Sequence, residues 1–309
     1  MRPRDRELAL RLDSGLLSFD RDKRPLAAIR DSARREAFLE QLLESVHRVE
    51  FLAALRSREL SDRRADPTDE LFDPLKSAIL QQRQGHTEEA FWLVFLFVHF
   101  GKHRRAGWRY AREVYGRLGN GGRWDWASTS ADPSGFRAWL HAHQDHLKRE
   151  GVPRGFGNHR KRESLDAYSP NGTGAAVESY VRWVGPPRTH QEMMGEMVQQ
   201  ANGDPRNAFD RLFHSMEAVV RFGRLARFDY LTMLGKLALG PIEPGSTYIR
   251  GSTGPLQGAR LLFGGHHSAA DLDLWLVELG AQLSVGMQVL EDALCNWQKS
   301  PSEFKPFRG

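Results

Sequence analysis

Apolar residues recur along most of this 309-residue chain at the three- and four-residue spacing of amphipathic helices. Alternation of the kind found in β-strands is confined to residues 246–250. We therefore expect an all-α, mostly helical fold. The helical spacing predicts elements over residues 34–57, 73–84, 105–117, 136–148, 189–201, 206–222, 256–263 and 270–298.

One further segment, residues 87–100, is apolar on every side: TEEAFWLVFLFVHF. This pattern predicts a buried central helix that begins with a cap at Thr87 and ends at Gly101. Its most apolar run, residues 90–100, is too short to cross a bilayer, and the chain starts with the charged MRPRDREL. We expect a cytoplasmic protein that has no membrane contact.

Turn residues suggest where the chain divides. We expect an N-terminal extension over residues 1–33 and a helical catalytic domain over residues 34–309. The Pro186-Pro187 pair predicts a hinge near residues 185–188, which would separate two lobes of this domain.

The charge is mildly basic, with 44 Lys and Arg against 39 Asp and Glu. Such a balance favours nucleic acid or another phosphate-rich partner. The single cysteine excludes an internal disulfide and any multi-cysteine zinc site. The histidines form no recognisable metal-binding motif, and Gly-rich nucleotide-binding motifs are absent. We expect neither a metal nor a cofactor.

The segment 156–183 combines a basic run, the acidic Glu163 and a Gly-rich helix start at residues 172–174. These are the parts of a polyanion site, because cations and helix N-termini both favour phosphate. A solvated basic loop is the alternative. The candidate DNA contacts are Asn158, His159, Arg160, Lys161, Arg162, Lys102, Arg104, Arg221 and Arg224.

Polar residues in the predicted helix 206–222 and just after it fall in one stripe, since they are three or four positions apart. The stripe is either an exposed ladder of ion pairs or the polar wall of a cleft, with Arg221 and Arg224 aimed at phosphate. Its members are Asp210, His214, Glu217, Arg221 and Arg224.

Asp229 is the first candidate for a catalytic carboxylate. It lies between Phe228 and Tyr230, so partial desolvation would strengthen it as a general base or as a stabiliser of positive charge. A salt bridge to Arg224 or Arg227 is the structural alternative.

Glu178 is the second candidate, because it lies in the second turn after the Gly-rich helix start. A surface pair with Arg182, four residues later, is the alternative.

Six segments, in order, resemble the α-glutamyl/putrescinyl thymine pyrophosphorylase family, whose members are linked to hypermodified pyrimidines in phage DNA. Together with the stretches between them they span about two thirds of the chain. They are TEEAFWLVFLFVHFGK (87–102), GNHRKRESLDAY (157–168), GTGAAVESYVRW (172–183), FGRLARFDYL (222–231), STGPLQGARLLFGG (252–265) and LEDALCNWQK (290–299).

The resemblance implies a two-lobed, DNA-glycosylase-like helical fold and a double-stranded DNA substrate that carries modified pyrimidines, with the base extruded into a pocket. We place Tyr230, Phe228 and Glu163 in that pocket. Our first hypothesis is a DNA glycosylase, a hydrolase of anti-phage defence that excises a bulky modified pyrimidine. The second is a transferase that displaces pyrophosphate from a 5-methylene pyrimidine, and the third is a non-catalytic DNA-binding module. We expect no obligate protein partner.

Overall fold

The computed structural model describes residues 5–149 and 155–306. Within these residues it contains fourteen α-helices and no β-strand, so the predicted all-α class is confirmed. The helices are α1 (Arg6–Asp22), α2 (Ser32–Leu55), α3 (Pro74–Arg83), α4 (Thr87–Phe100), α5 (Arg109–Tyr115), α6 (Trp126–Ala131), α7 (Pro133–Leu147), α8 (Thr173–Val184), α9 (His190–Gln200), α10 (Pro205–Ser215), α11 (Arg224–Lys236), α12 (Gly254–Phe263), α13 (Ala269–Leu283) and α14 (Met287–Trp297).

The chain forms two compact units. One combines Met1–Ala54 with Pro244–Arg308, and the other is Leu55–Glu243. The predicted hinge at residues 185–188 lies inside the second unit, and the predicted boundary after residue 33 lies inside the first. The units therefore differ from the division expected from the turn residues.

Helix α1 was not expected from the sequence, although its apolar spacing is helical. Ala9, Leu12, Leu16 and Phe19 lie on one face and are at most 3% exposed. This face packs in the core of its unit, where α1 contacts α13. The apolar face of α1 is thus part of a core.

The last predicted helix, residues 270–298, is two helices. Ser284 adopts a left-handed backbone with φ 54°, which ends α13, and Gly286 precedes α14. A left-handed residue cannot continue an α-helix, so the apolar periodicity runs across a turn that it does not reveal.

In the second unit, α4 is the buried central helix that its sequence predicts. Every side chain from Ala90 to Leu96 is 0% exposed, and α3 and α11 pack against it. The predicted cap at Thr87 is wrong. Thr87 is the first residue of the helix, His86 occupies the cap position, and no side chain caps the helix. None of the described helices is long and apolar enough to cross a membrane.

The predicted helix 206–222 ends early. Helix α10 stops at Ser215, a 3₁₀ turn follows over Met216–Ala218, and Val219 is extended. Arg221 then has φ 67°, a left-handed conformation that no α-helix accommodates. The prediction that these five polar residues share one helix face is therefore wrong.

Candidate active site

A close backbone contact holds the basic segment against the end of α4. The N–H of Gly157 donates to the carbonyl oxygen of Phe100 at 2.8 Å. A Cβ atom on Gly157 would lie 2.8 Å from the carbonyl carbon of Gly101, so the approach requires glycine. The 3₁₀ turn Asn158–Arg160 follows directly and directs Arg160 into the protein.

Arg160 is buried, with 8% of its surface exposed. Its guanidinium carbon lies 5.9 Å from the ring centroid of Phe222, and its Nη2 atom meets no hydrogen-bond partner among the described residues. Burial lowers the pKa of Arg160, and the nearby charges of Asp229 and Glu163 offset this only in part. Arg160 therefore differs in position from the rest of the basic run.

Most of the other predicted DNA contacts are exposed or half-buried, so their role as DNA contacts stays a prediction. The side chain of Asn158 lies outside the described part of the structure. The exposed residues are His159, Lys161, Arg162, Lys102 and Arg104, and the half-buried ones are Arg221 and Arg224.

The carboxyl of Asp229 comes from the second turn of α11 and lies in the field of the basic segment. Burial raises its pKa, and the positive charge of Arg160 is the largest influence that opposes the rise. Smaller opposing influences come from His159, Arg224 and Lys236. Asp229 nevertheless keeps partial exposure to solvent. Asp229 therefore combines a closely surrounded carboxyl with a residue that solvent still reaches.

The aromatic residues on either side of Asp229 are enclosed in the core. Phe228 and Tyr230 are 1% and 0% exposed. The ring of Phe228 packs on Phe209, and the hydroxyl of Tyr230 lies 2.8 Å from that of Tyr180. Their predicted role in a base pocket does not fit this arrangement, because both side chains are enclosed in the core. They anchor α11 and thereby position Asp229.

Glu163 and Arg221 form a two-point ion pair. The Nε atom of Arg221 lies 2.7 Å from Oε2 of Glu163, and its Nη2 lies 3.1 Å from Oε1. The Glu163 side chain is only 8% exposed, and that of Arg221 is 31% exposed. Glu163 follows the Arg160 turn, and Arg221 precedes α11. The pair thus joins the two segments that carry Arg160 and Asp229.

His99 lies close to Arg160 and Arg221 and is not among the site residues predicted from the sequence. Burial, followed by the charges of Arg160 and Arg221, lowers its pKa to about 3, so the ring is neutral. The hydroxyl of Thr173 donates to the carbonyl oxygen of Ser164 at 2.7 Å and lies 3.0 Å from Nε2 of His99. His99 therefore carries its proton on Nε2 and donates it to Thr173. The position of His99 within the all-apolar α4 is the sequence signal that identifies it.

Glu178 is held by arginines. It hydrogen-bonds to Arg137, whose Nε also donates to the carbonyl oxygen of Ala167 at 2.9 Å. Arg182 lies 3.8 Å away at the expected i,i+4 position. The surface-pair alternative thus describes its contacts, and a catalytic role for Glu178 stays a prediction that these contacts do not require.

The start of α8 does not offer the anion site that its Gly-rich sequence suggests. The N–H of Thr173 donates to the carbonyl oxygen of Ser164 at 2.9 Å, and the N–H of Gly174 donates to that of Asp166 at 3.2 Å. Because the preceding loop occupies these donors, they are not available to a phosphate.

A chain of four side chains, three of them buried and Glu88 half-buried, ends at Tyr230 of α11. Glu88 lies 2.7 Å from Nδ1 of His190, Nε2 of His190 lies 2.7 Å from the Tyr180 hydroxyl, and that hydroxyl lies 2.8 Å from the hydroxyl of Tyr230. Burial lowers the pKa of His190 and raises that of both tyrosines. The neutral imidazole donates from Nδ1 to Glu88, so Tyr180 donates to Nε2 and Tyr230 donates to Tyr180.

The comparisons with known proteins give one result. The family model described as alpha-glutamyl/putrescinyl thymine pyrophosphorylase clade 3 matches residues 33–309. The chain belongs to this family. The predicted resemblance is therefore confirmed, and the family name describes an enzyme of base modification. Searches of curated proteins and of solved structures found no match.

Three of the six segments that carry the family resemblance supply the candidate active site. The segment 157–168 contributes Arg160 and Glu163, and the segment 222–231 contributes Asp229. The segment 87–102 contributes His99 and the Glu88 end of the chain that ends at Tyr230. Across the part of the chain that is described, no group of three or more His, Cys, Asp or Glu side chains is arranged to hold a metal ion.

Proposed function

We propose that this protein is a DNA base-modifying transferase. It acts on a thymine-derived base whose 5-methylene carbon carries a pyrophosphate leaving group. An amine replaces the pyrophosphate on that carbon. The observation that carries the proposal is a buried cation, Arg160, whose charge acts on the carboxyl of Asp229 in a member of this family. This second hypothesis from the sequence now ranks above the excision hypothesis.

Arg160 and Asp229 supply the charges that this displacement reaction requires. A departing pyrophosphate requires a positive charge close to the reacting carbon, whereas excision of a base needs cations only on the DNA backbone. Arg160 supplies a cation inside the protein, beside the candidate catalytic carboxyl. A raised pKa makes the carboxylate of Asp229 a stronger base at neutral pH.

The proposed step balances as a displacement. The amine nitrogen forms a bond to the 5-methylene carbon, and the carbon–oxygen bond to pyrophosphate breaks with its electron pair on oxygen. The carboxylate of Asp229 accepts the proton that the amine loses. Arg160 faces the charge that develops on the leaving oxygen, in surroundings where burial strengthens the interaction.

DNA would approach along the exposed cations of the same segment. Lys161 and Arg162 follow Arg160 directly and are exposed, so they are suited to phosphates of the backbone while the base approaches Asp229. The modified pyrimidine would have to leave the base stack, since Asp229 lies below the surface.

Excision of the modified base is the second candidate, and the half-buried Asp229 favours it as well. A fixed carboxylate stabilises the oxocarbenium-like state that forms when a glycosidic bond breaks. In that reaction water attacks the sugar carbon, the base leaves with the bonding electrons, and an abasic site remains.

The experiment that separates these candidates uses phage DNAs that carry 5-hydroxymethyl or pyrophosphorylated pyrimidines, with plain thymine DNA as the control. The protein is incubated with each DNA and with a mixture of amines and amino acids. Nucleosides are then analysed by mass spectrometry, and half of each sample is treated with alkali. A new amine-bearing nucleoside without strand breaks supports the transferase. Alkali-dependent breaks support excision and contradict the transferase. DNA binding without either product contradicts both reactions.

A further inference from the structure

We infer that Arg160 binds a small phosphoryl-type anion inside the protein, beside Asp229, and that it does not contact the DNA backbone. The inference deepens the proposed function, on which it rests in one respect: the anion would be the leaving group of the transfer reaction. It replaces the expectation that Arg160, Lys161 and Arg162 act together on DNA phosphates.

The first support is an uncompensated buried cation. Arg160 is 8% exposed, and its Nη2 has no hydrogen-bond partner among the residues that the structure describes. Its pKa stays lowered despite the nearby carboxyls, so the protein does not fully balance the cost of burying this charge. Glu163, one of those carboxyls, is already engaged by Arg221 at 2.7 and 3.1 Å.

Two other arginines of the same unit show what a compensated cation looks like. Arg109 lies 2.7 Å from Glu113 and also donates to the carbonyl oxygen of Leu147 at 3.0 Å. Arg227 lies 2.7 Å from Glu217. Each has a carboxylate at ion-pair distance, although the Nε atom of each also lacks a hydrogen-bond partner among the described residues. For Arg160, a ligand is the group that would supply the missing anionic partner.

The position of Arg160 selects a small anion. Phosphates of a duplex lie on its outer surface, where exposed side chains such as Lys161 and Arg162 meet them. A free phosphoryl group is small enough to reach a side chain below the surface, and the planar fork of a guanidinium matches its oxygens. Helix α11, which begins after Gly223 without a side-chain cap, adds the favourable end of its dipole next to Phe222 and Arg160.

Asp229 suits such a ligand when it carries a proton. A protonated carboxyl donates a hydrogen bond to an anion oxygen, whereas an ionised one repels it. In the proposed transfer Asp229 receives its proton as the anion forms, so the product state pairs a protonated Asp229 with a cationic Arg160. Removing the charge of Asp229 should therefore strengthen anion binding, although it removes the base.

The test is calorimetric titration of the full chain with inorganic pyrophosphate at constant ionic strength. The wild-type protein should bind, and Arg160→Gln should weaken binding by about tenfold or more, as expected for loss of a charge-assisted contact. Arg160→Lys should recover part of the affinity. Asp229→Asn should bind as tightly as the wild type or more tightly. Arg206→Gln is the matched control and should change nothing, because Arg206 is 64% exposed and pairs with Glu243.

A melting curve must first show that Arg160→Gln folds; if it does not, Arg160→Lys and Asp229→Asn carry the test. No binding of pyrophosphate by the wild type, or equal binding by the wild type and Arg160→Gln, would overturn the inference. A second arm measures the salt dependence of duplex DNA binding. An unchanged salt slope in Arg160→Gln supports a free anion, whereas a slope reduced by about one points to a backbone phosphate and contradicts the inference.

The experiments can contradict the transferase proposal and the anion-site proposal independently of each other. Formation of an amine-bearing nucleoside without pyrophosphate binding would leave the transferase standing and remove the anion site. Pyrophosphate binding that depends on Arg160, without any product on modified DNA, would keep the site and remove the transferase.

Discussion

Arg221 and Glu163 are joined at two points, with Nε 2.7 Å from Oε2 and Nη2 3.1 Å from Oε1, and Arg221 makes this contact from a left-handed backbone with φ 67°. Such a conformation is costly for a residue other than glycine. The half-buried pair offsets that cost and fixes the turn that precedes α11. It also connects that turn with the segment that carries Arg160.

Glu163→Gln should therefore lower both stability and activity. Loss of the charge leaves Arg221 without its partner in a half-buried place, which we expect to cost about 1–3 kcal/mol in denaturant unfolding. Glu243→Gln breaks the exposed pair with Arg206, whose side chains are 54% and 64% exposed, and should cost less than about 1 kcal/mol. Equal effects of the two substitutions would show that the Glu163 pair has no special structural role.

The chain from Glu88 to Tyr230 predicts which of two substitutions destabilises the protein more. Tyr180→Phe removes the middle member and leaves both Nε2 of His190 and the hydroxyl of Tyr230 without partners. Tyr230→Phe removes only the donor to Tyr180. We expect Tyr180→Phe to cost more, by about 1–2 kcal/mol, because each buried polar group that loses its partner carries a desolvation penalty. Urea unfolding of both variants measures the difference, and the reverse order would contradict the central position of Tyr180 in this chain.

Glu89 predicts a pH dependence of stability. Burial raises its pKa from 4.5 to about 7, although it accepts hydrogen bonds from the Tyr115 hydroxyl at 2.8 Å and from the N–H of Trp126 at 2.7 Å. The folded protein therefore binds this proton more tightly than the unfolded chain. The stabilisation that comes from this tighter proton binding is complete below pH 4.5 and is lost as the pH rises to about 7.

Glu89→Gln removes this titration and keeps partners for both hydrogen bonds, because the amide can accept from Trp126 and donate to Tyr115. We expect the free energy of unfolding of the variant to rise relative to that of the wild type between pH 4.5 and 7, by up to roughly 3 kcal/mol. Denaturant unfolding at several pH values checks this. A difference between the two proteins that does not change with pH would rule out a raised pKa for Glu89.

Lys161 and Arg162 predict the salt dependence of DNA binding. Both are exposed beside the buried Arg160. Replacing both with Gln should lower the slope of log affinity against log salt by about two, one for each lost phosphate contact. The exposed Arg206 provides the control again, since Arg206→Gln should leave the slope unchanged. An unchanged slope in the double variant, with an intact melting curve, would exclude these residues from the DNA surface.

Local patterns predict much of this fold, because α3, α4, α7 and α9 combine a clear apolar face or core with nearby turn residues. The break after Ser215 could not be predicted in the same way. The conformation of Arg221 depends on Glu163, which lies 58 residues away in the sequence, and periodicity contains no information about that contact. Helix α1 is different, since the sequence itself contains its helical spacing at Ala9, Leu12, Leu16 and Phe19.

The candidate site shows the same limit. A carboxyl between two aromatic residues led to Asp229, and its half-buried position agrees with that reasoning. A basic run is usually exposed, so the burial of Arg160 was not expected. It follows from the close approach of Gly157 to Gly101, which only the folded chain reveals. The chain from Glu88 to Tyr230 likewise joins residues that are distant in sequence, because His190 lies 102 positions after Glu88.

The central claim is that Asp229 acts in the chemistry of DNA base modification. The most direct measurement is the rate of product formation by Asp229→Asn on a modified DNA that the wild-type protein converts, with DNA affinity measured in parallel. The substitution keeps the shape of the side chain and removes its charge. We predict that the rate falls by about a hundredfold or more while DNA binding persists. A near-normal rate for Asp229→Asn, together with a large loss for Glu178→Gln, would contradict the account and transfer the role to Glu178.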